Sequence, residues 1–134
     1  MAASALQLSV ITPEQQVLEQ QADEVVIPAH DGELGILPQR APLMCELGIG
    51  QLRFVAGGRT TRLFVDGGFA QVFENRVTVL TNRALLAAQI GKDVLAAAEK
   101  AVAASPGTDA DKRVAYERDQ RRLSVLRSLA GSGN

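Results

Sequence analysis

Few side chains in this sequence are of types that perform chemistry, and their spacing works against them. His30 is the sole histidine and Cys45 the sole cysteine. One histidine excludes a two-histidine metal site, and an activated thiolate would need Cys45 and His30 to meet. Cys45 stands in an apolar stretch and reads more simply as a small buried hydrophobe. Carboxylates come close together as Asp23 with Glu24 and Asp31 with Glu33, a source for a general acid and base. Strand neighbours point to opposite faces, though, and acids around turns are solvated. Gly48-Ile49-Gly50 lacks the third glycine and the helix of a dinucleotide fingerprint, and neither a P-loop nor a G-x-S-x-G elbow occurs. No catalytic residue and no metal site is expected.

The elements that must position these residues fall into two parts, changing character near Arg83. At 134 residues, 46% hydrophobic and 22% charged, the chain is long enough for a real core without disulfides. A formal net charge of -1 argues against a nucleic-acid binder. The start carries no basic, apolar signal segment, and no stretch has the roughly 20 apolar residues of a spanning helix. A lone cysteine suits a reducing compartment.

Before Arg83, Leu6, Leu8 and Val10 alternate with polar residues, and Thr12-Pro13-Glu14 breaks the run, predicting a strand and a turn. Further β-type bursts are Val25–Pro28, Leu34–Leu37, Leu52–Ala56, Arg62–Asp66, Phe69–Phe73 and Val77–Thr81. Gly57-Gly58 and Glu74-Asn75 read as tight turns between strands. The pattern predicts an antiparallel sandwich or flattened barrel over residues 1–85. After it, Leu86, Ile90, Val94, Ala97, Ala101 and Ala104 recur at helical steps, and Ser105-Pro106-Gly107 ends the run. Thr108 or Asp109 caps a second helix, with Ala115, Leu123, Leu126 and Leu129 near one face. The expected helices are about 86–104 and 109–130, a hairpin within 86–134. Residues 1–86 hold nine acids against six bases, and 87–134 six against eight. Arg113, Arg118, Arg121, Arg122 and Arg127 carry most of that basic surplus.

The specific stretch is Ala22-Asp23-Glu24-Val25-Val26-Ile27-Pro28, then Asp31-Gly32-Glu33-Leu34-Gly35-Ile36-Leu37-Pro38 and Ala41-Pro42-Leu43. Gly32 and Gly35 license a bulge or close approach within a strand pair. Pro38 and Pro42 stiffen a loop that holds Gln39 and Arg40 beside a projecting Glu33. Together with Ile11-Thr12-Pro13-Glu14, Gly67-Gly68-Phe69 and Val77-Thr78-Val79-Leu80, this order resembles the epsilon subunit of F-type ATP synthases, densely over residues 6–82.

The resemblance implies an α+β chain, with a β-sandwich of about ten strands followed by an antiparallel helical hairpin. It implies a non-catalytic rotor subunit in the central stalk, against the gamma subunit and the c-ring, coupling proton flow to ATP synthesis. In bacteria the helices can extend to restrain ATP hydrolysis. By motif position Glu33 and Leu34 face the c-ring, while Thr12, Arg40 and Cys45 lie toward gamma. The five tail arginines are the implied contacts to the catalytic head when the hairpin extends. The expected place is the cytoplasmic face of the bacterial inner membrane, peripheral and without direct insertion.

Two departures stand out. The family's Gly-His before Ala-Pro is here Gln39-Arg40, which puts a fixed positive charge in place of a titratable one. Relatives that bind ATP use Ile-Asp with Arg three residues after the Asp. Here Asp93 remains, but the isoleucine is Lys92 and the arginine is Ala96. The bidentate phosphate fork is missing, so no cofactor is expected.

Alanine at most packing positions of the first tail helix implies modest docking, since each CH2 lost relative to leucine costs about 0.8 kcal/mol of burial. Partners could then shift the hairpin between two arrangements, and Ser105-Pro106-Gly107 is the expected hinge. A free-standing ligand-binding sandwich is the alternative. Aromatics at 4% and the absence of Trp count against its need for an aromatic platform. A small hydrolase on Asp31 and Glu33 is another, and the mitochondrial counterpart subunit, named delta, a third.

Overall fold

The computed structural model describes residues 5–104 and 110–132, with side chains for all of these except 110–112 and 131–132. The expected hinge at 105–107 and the cap at 108 or 109 lie outside the described residues.

Eight strands are present among the described residues: β1 Leu6–Ile11, β2 Gln16–Ala22, β3 Glu24–Ala29, β4 Gly32–Ile36, β5 Leu43–Ala56, β6 Arg59–Phe73, β7 Arg76–Leu80 and β8 Ala84–Leu86. A 3-10 turn at Ala87–Gln89 leads to α1 Lys92–Ala104 and α2 Ala110–Ser132. The strands hydrogen-bond in the order β2-β1-β7-β6-β5-β3-β4, with β8 also on β6.

The count of eight rather than about ten has a simple cause. β5 and β6 pair along nearly their whole length, from Leu43↔Val72 to Ala56↔Arg59. The first half of β6 takes β8 as its other neighbour, and its second half takes β7. The two long strands therefore serve both layers of the sandwich. The Arg62–Asp66 and Phe69–Phe73 bursts are one bent strand, not two. The bend is at Gly67 and Gly68, with φ of 70° and 104°. A Cβ on Gly68 would overlap the Leu80 carbonyl, so only glycine fits there.

A second correction concerns direction. β1 and β7 pair in parallel, because β7 returns to β1 only after the chain has built the other layer. The remaining pairs are antiparallel, as expected. Gly57 and Gly58 turn with φ of 59° and 77°, and Glu74 and Asn75 with 47° and 63°. Two successive positive φ values give the turn twist that matches right-twisted strands.

Inward alternation builds the main core from Leu6, Leu8, Val10, Val25, Ile27 and Leu52 with the facing residues of β6 and β7. A second cluster joins Phe64, Ala87 and Ile90 to Leu126 and Leu129 of α2. Leu63, Phe64 and Val65 are therefore all buried: two face the core between the layers, and Phe64 faces the helix.

The first helix departs from expectation. Leu86 ends β8 and Ile90 is buried ahead of Gly91, so α1 begins at Lys92. No residue of α1 is buried. It leans on the second cluster through Val94, Leu95 and Ala98, all partly buried, whereas Ala97, Ala101 and Ala104 are exposed. On α2, Leu123, Leu126 and Leu129 are buried as expected and Ala115 is exposed. The hairpin thus docks by leucine on α2, not by an alanine seam.

Candidate docking site

Helix α2 covers the outer face of one layer, and among the described residues the outer face of the other is bare. Ala70 and Val72 turn inward, so Phe69, Gln71 and Phe73 point out. Across β5 the register sets Met44 opposite Gln71, and across β7 it sets Leu80 opposite Phe69. Parallel pairing then adds Ile11 beside Leu80. Met44 is 68% exposed, Phe69 54%, Phe73 50% and Leu80 52%. A contiguous apolar face rimmed by Glu46 and Arg76 has the character of a protein-binding surface. The sequence motifs missed it. Its signal was the alternation of Phe69, Phe73 and Leu80 with small or β-branched residues that the core claims.

The residues assigned from sequence lie around this face and behind it. Thr12 follows Ile11 and caps its own turn, its hydroxyl donating to the Gln15 carbonyl at 3.1 Å. Gln39, at φ 72°, donates its backbone N–H to Asn75 Oδ1 at 2.8 Å. That bond fastens the Arg40 loop to the β6–β7 turn. Cys45 points inward and is half-buried against the core, so its neighbours Met44 and Glu46 carry the outer surface. Burial pushes the Cys45 thiol up, Asp31 adds to the rise and Arg40 opposes it. A thiol raised in this way is a poor nucleophile.

Glu33 projects from β4 at the far edge of the other layer and pairs with Arg53 at 2.8 Å. Leu34, by alternation, packs partly buried against the main core. The β3–β4 turn reaches back to β5, with His30 N–H donating to the Glu46 carbonyl at 3.0 Å. The Glu33 turn and the Met44 strand thus meet at one end of the sandwich. Among the described residues no group of three His, Cys, Asp or Glu could hold a metal.

The tail arginines divide. Arg113 and Arg118 are exposed. Arg121 donates Nε–H to the Ile49 carbonyl at 3.0 Å, and Arg127 pairs with Glu99 of α1 at 2.7 Å. Arg122 pairs with Asp119 within α2 and also with Asp66 of β6, both at 3.0 Å. Asp93 is exposed in the first turn of α1, and Ala96 is exposed beside it. No helix among the described residues is long and apolar enough to cross a membrane.

Comparison with known proteins adds independent findings. Residues 5–87 match the family model described as the beta-sandwich domain of the ATP synthase delta/epsilon chain. The ATP synthase epsilon chain of Nitratidesulfovibrio vulgaris (Miyazaki F) is 46% identical over 80 residues, and the chain spans 60% of that relative's length. An epsilon chain from a Synechococcus species is 37% identical over 131 residues, 96% of each chain. Among solved structures, a chain of the Euglena gracilis mitochondrial ATP synthase OSCP/F1/c-ring assembly has a TM-score of 0.79 at 24% identity, covering 95% of this chain and 82% of its own. A chain of the Tetrahymena thermophila central stalk/c-ring structure gives 0.61 at 14% identity, with 96% of each covered. At these identities the likeness speaks to the fold.

Proposed function

The chain belongs to the ATP synthase delta/epsilon family, and on that premise we propose that it is a non-catalytic central-stalk subunit, coupling rotation of the c-ring to ATP synthesis through the gamma subunit. The observation that carries this reading is the bare apolar face of Met44, Phe69, Phe73 and Leu80. A face of this kind left uncovered on a monomer favours a permanent partner. The proposed gamma contacts are that face, with Thr12 at one margin and the Arg40 loop at another. Cys45 supports it from beneath. The c-ring contact is assigned to Glu33 and the turn around it, since a half-exposed acid on a pinned turn suits polar loops. Leu34 holds that turn from inside. The subunit sits peripherally, on the cytoplasmic face of the bacterial inner membrane.

The α2 arginines are the proposed contacts to the catalytic head when the hairpin opens, with inhibition of hydrolysis as the result. Complementary charge steers and holds such an encounter. Regulation by ATP is not part of the proposal, because Ala96 supplies no phosphate fork beside Asp93.

Leu80→Lys tests the docking reading. Leu80 is exposed, so the substitution leaves the core intact, and the variant is expected to keep the parent's melting temperature. It is expected to lose co-purification with gamma. A folded Leu80→Lys chain that still brings down gamma at the parent's level rules out this face as the contact.

A further inference from the structure

Arg121 and Arg122 tie α2 to the sandwich by polar contacts, Arg121 to the Ile49 carbonyl and Arg122 to Asp66. They differ in kind. Arg121 is exposed and meets a neutral carbonyl, whereas the Asp66 carboxylate is largely buried and meets Arg122 Nε at 3.0 Å from Oδ2 and 3.2 Å from Oδ1. The Asp66 backbone is also pinned by hydrogen bonds. Its N–H donates to Thr81 Oγ1 at 3.0 Å and to the Arg83 carbonyl at 3.1 Å. Asn82 Nδ2 donates to its carbonyl at 3.1 Å. The bent glycine pair that follows fixes the strand direction on the other side. Beside the pair, a cleft of about 290 Å³ is lined by Ala97, Ala98, Ala101 and Arg83. Alanines therefore do not fill the seam around it.

We infer that Asp66 is the catch that sets how much of the basic helix is free, by holding Arg122 against the sandwich until an acidic partner surface takes the same arginine. The inference rests on the proposed inhibitory role of the tail and names the residue that controls it. Arg122 is shared between two states. Folded down, its charge is spent on Asp66 and Asp119; opened, only Asp119 travels with it on α2. Removing either side of the pair loosens the hairpin. Only removal of Asp66 leaves the arginine available to the partner.

The test uses two variants of the full chain, with hydrogen exchange of α2 amides and hydrolysis by the reassembled complex as readouts. Asp66→Asn keeps the backbone bonds of the bend, so β6 amides should exchange as in the parent. Its α2 amides should exchange roughly tenfold faster or more, the scale of losing one hydrogen bond between charged groups. Hydrolysis should fall below the parent's. Arg122→Gln should speed α2 exchange similarly, without that added inhibition. Unchanged α2 exchange in both variants overturns the catch. Equal inhibition by both overturns the sharing of Arg122. Faster α2 exchange in both, with hydrolysis unchanged, supports the catch and overturns the inhibitory reading of the tail instead.

Discussion

At the scale of single residues, the tightest constraint is a missing side chain. Gly68 combines a φ of 104° with a backbone so close to Leu80 that a Cβ would overlap its carbonyl. Without this bend β6 could not leave one layer, and Phe69 and Leu80 would not be set side by side. Gly68→Ala should therefore destabilise by about 1–3 kcal/mol from the backbone conformation alone, with further cost from the displaced Leu80 carbonyl. Thermal unfolding should show a lowered midpoint, and a variant melting within a degree of the parent would show that the bend tolerates a methyl. Gly57 and Gly58 make the contrast, since nothing lies within 4 Å of a Cβ at either. There the requirement is the turn's positive φ, which Asn can supply; at Gly68 it is space as well.

At the scale of elements, much was legible where one face of a strand or helix decides everything. Leu6, Leu8 and Val10 alternate because only one side of β1 meets the core, and Leu123, Leu126 and Leu129 recur because α2 has one seat. Legibility failed where two influences overlap on one segment. Strand β2, with Gln16, Glu19, Gln20 and Gln21, is a mostly polar edge strand that pairs with β1 and turns only Ala22, with partly buried Val17 and Leu18, to the core. Strands β5 and β6 each serve two layers, so β6 reads as two short strands and β5 only as its second half, Leu52–Ala56. Leu86 and Ile90 share helical spacing with Val94, yet Leu86 packs against the main core from a strand end and Ile90 fills the second cluster from a turn.

The seat of α2 also yields a quantitative expectation. Leu126 is 1% exposed against Phe64 and Ile90, and truncating such a leucine costs about 2–5 kcal/mol. Undocking the helix is less costly than unfolding the sandwich, so the loss should appear locally. Leu126→Ala should raise the exchange of α2 amides while the sandwich amides stay protected. Equal loss of protection in both would mean that hairpin and sandwich unfold as one unit.

At the scale of the whole molecule, the two outer faces of the sandwich have different fates, and that asymmetry underlies the proposed connector role. One face carries its own cover, α2, which is held by leucines and by the Asp66–Arg122 pair. The other carries Met44, Phe69, Phe73 and Leu80, uncovered among the described residues. On the proposed function, the segment that docks reversibly on one face leaves the opposite face free for a lasting partner. The two functions should then separate on deletion. A chain ending after Ala104 loses α2 and bares Phe64, so its stability should fall, because the second cluster loses its leucines. A lower melting midpoint measures that loss. Association with gamma should survive at temperatures where the shortened chain is folded, because no residue of the bare face belongs to the hairpin. Hydrolysis by the reassembled complex should rise, since the arginines proposed to reach the catalytic head are gone. Co-purification without a change in hydrolysis would retain the connector and remove the inhibitor. Loss of gamma from a folded, shortened chain would instead place the contact on α2 and leave the bare face without its proposed partner.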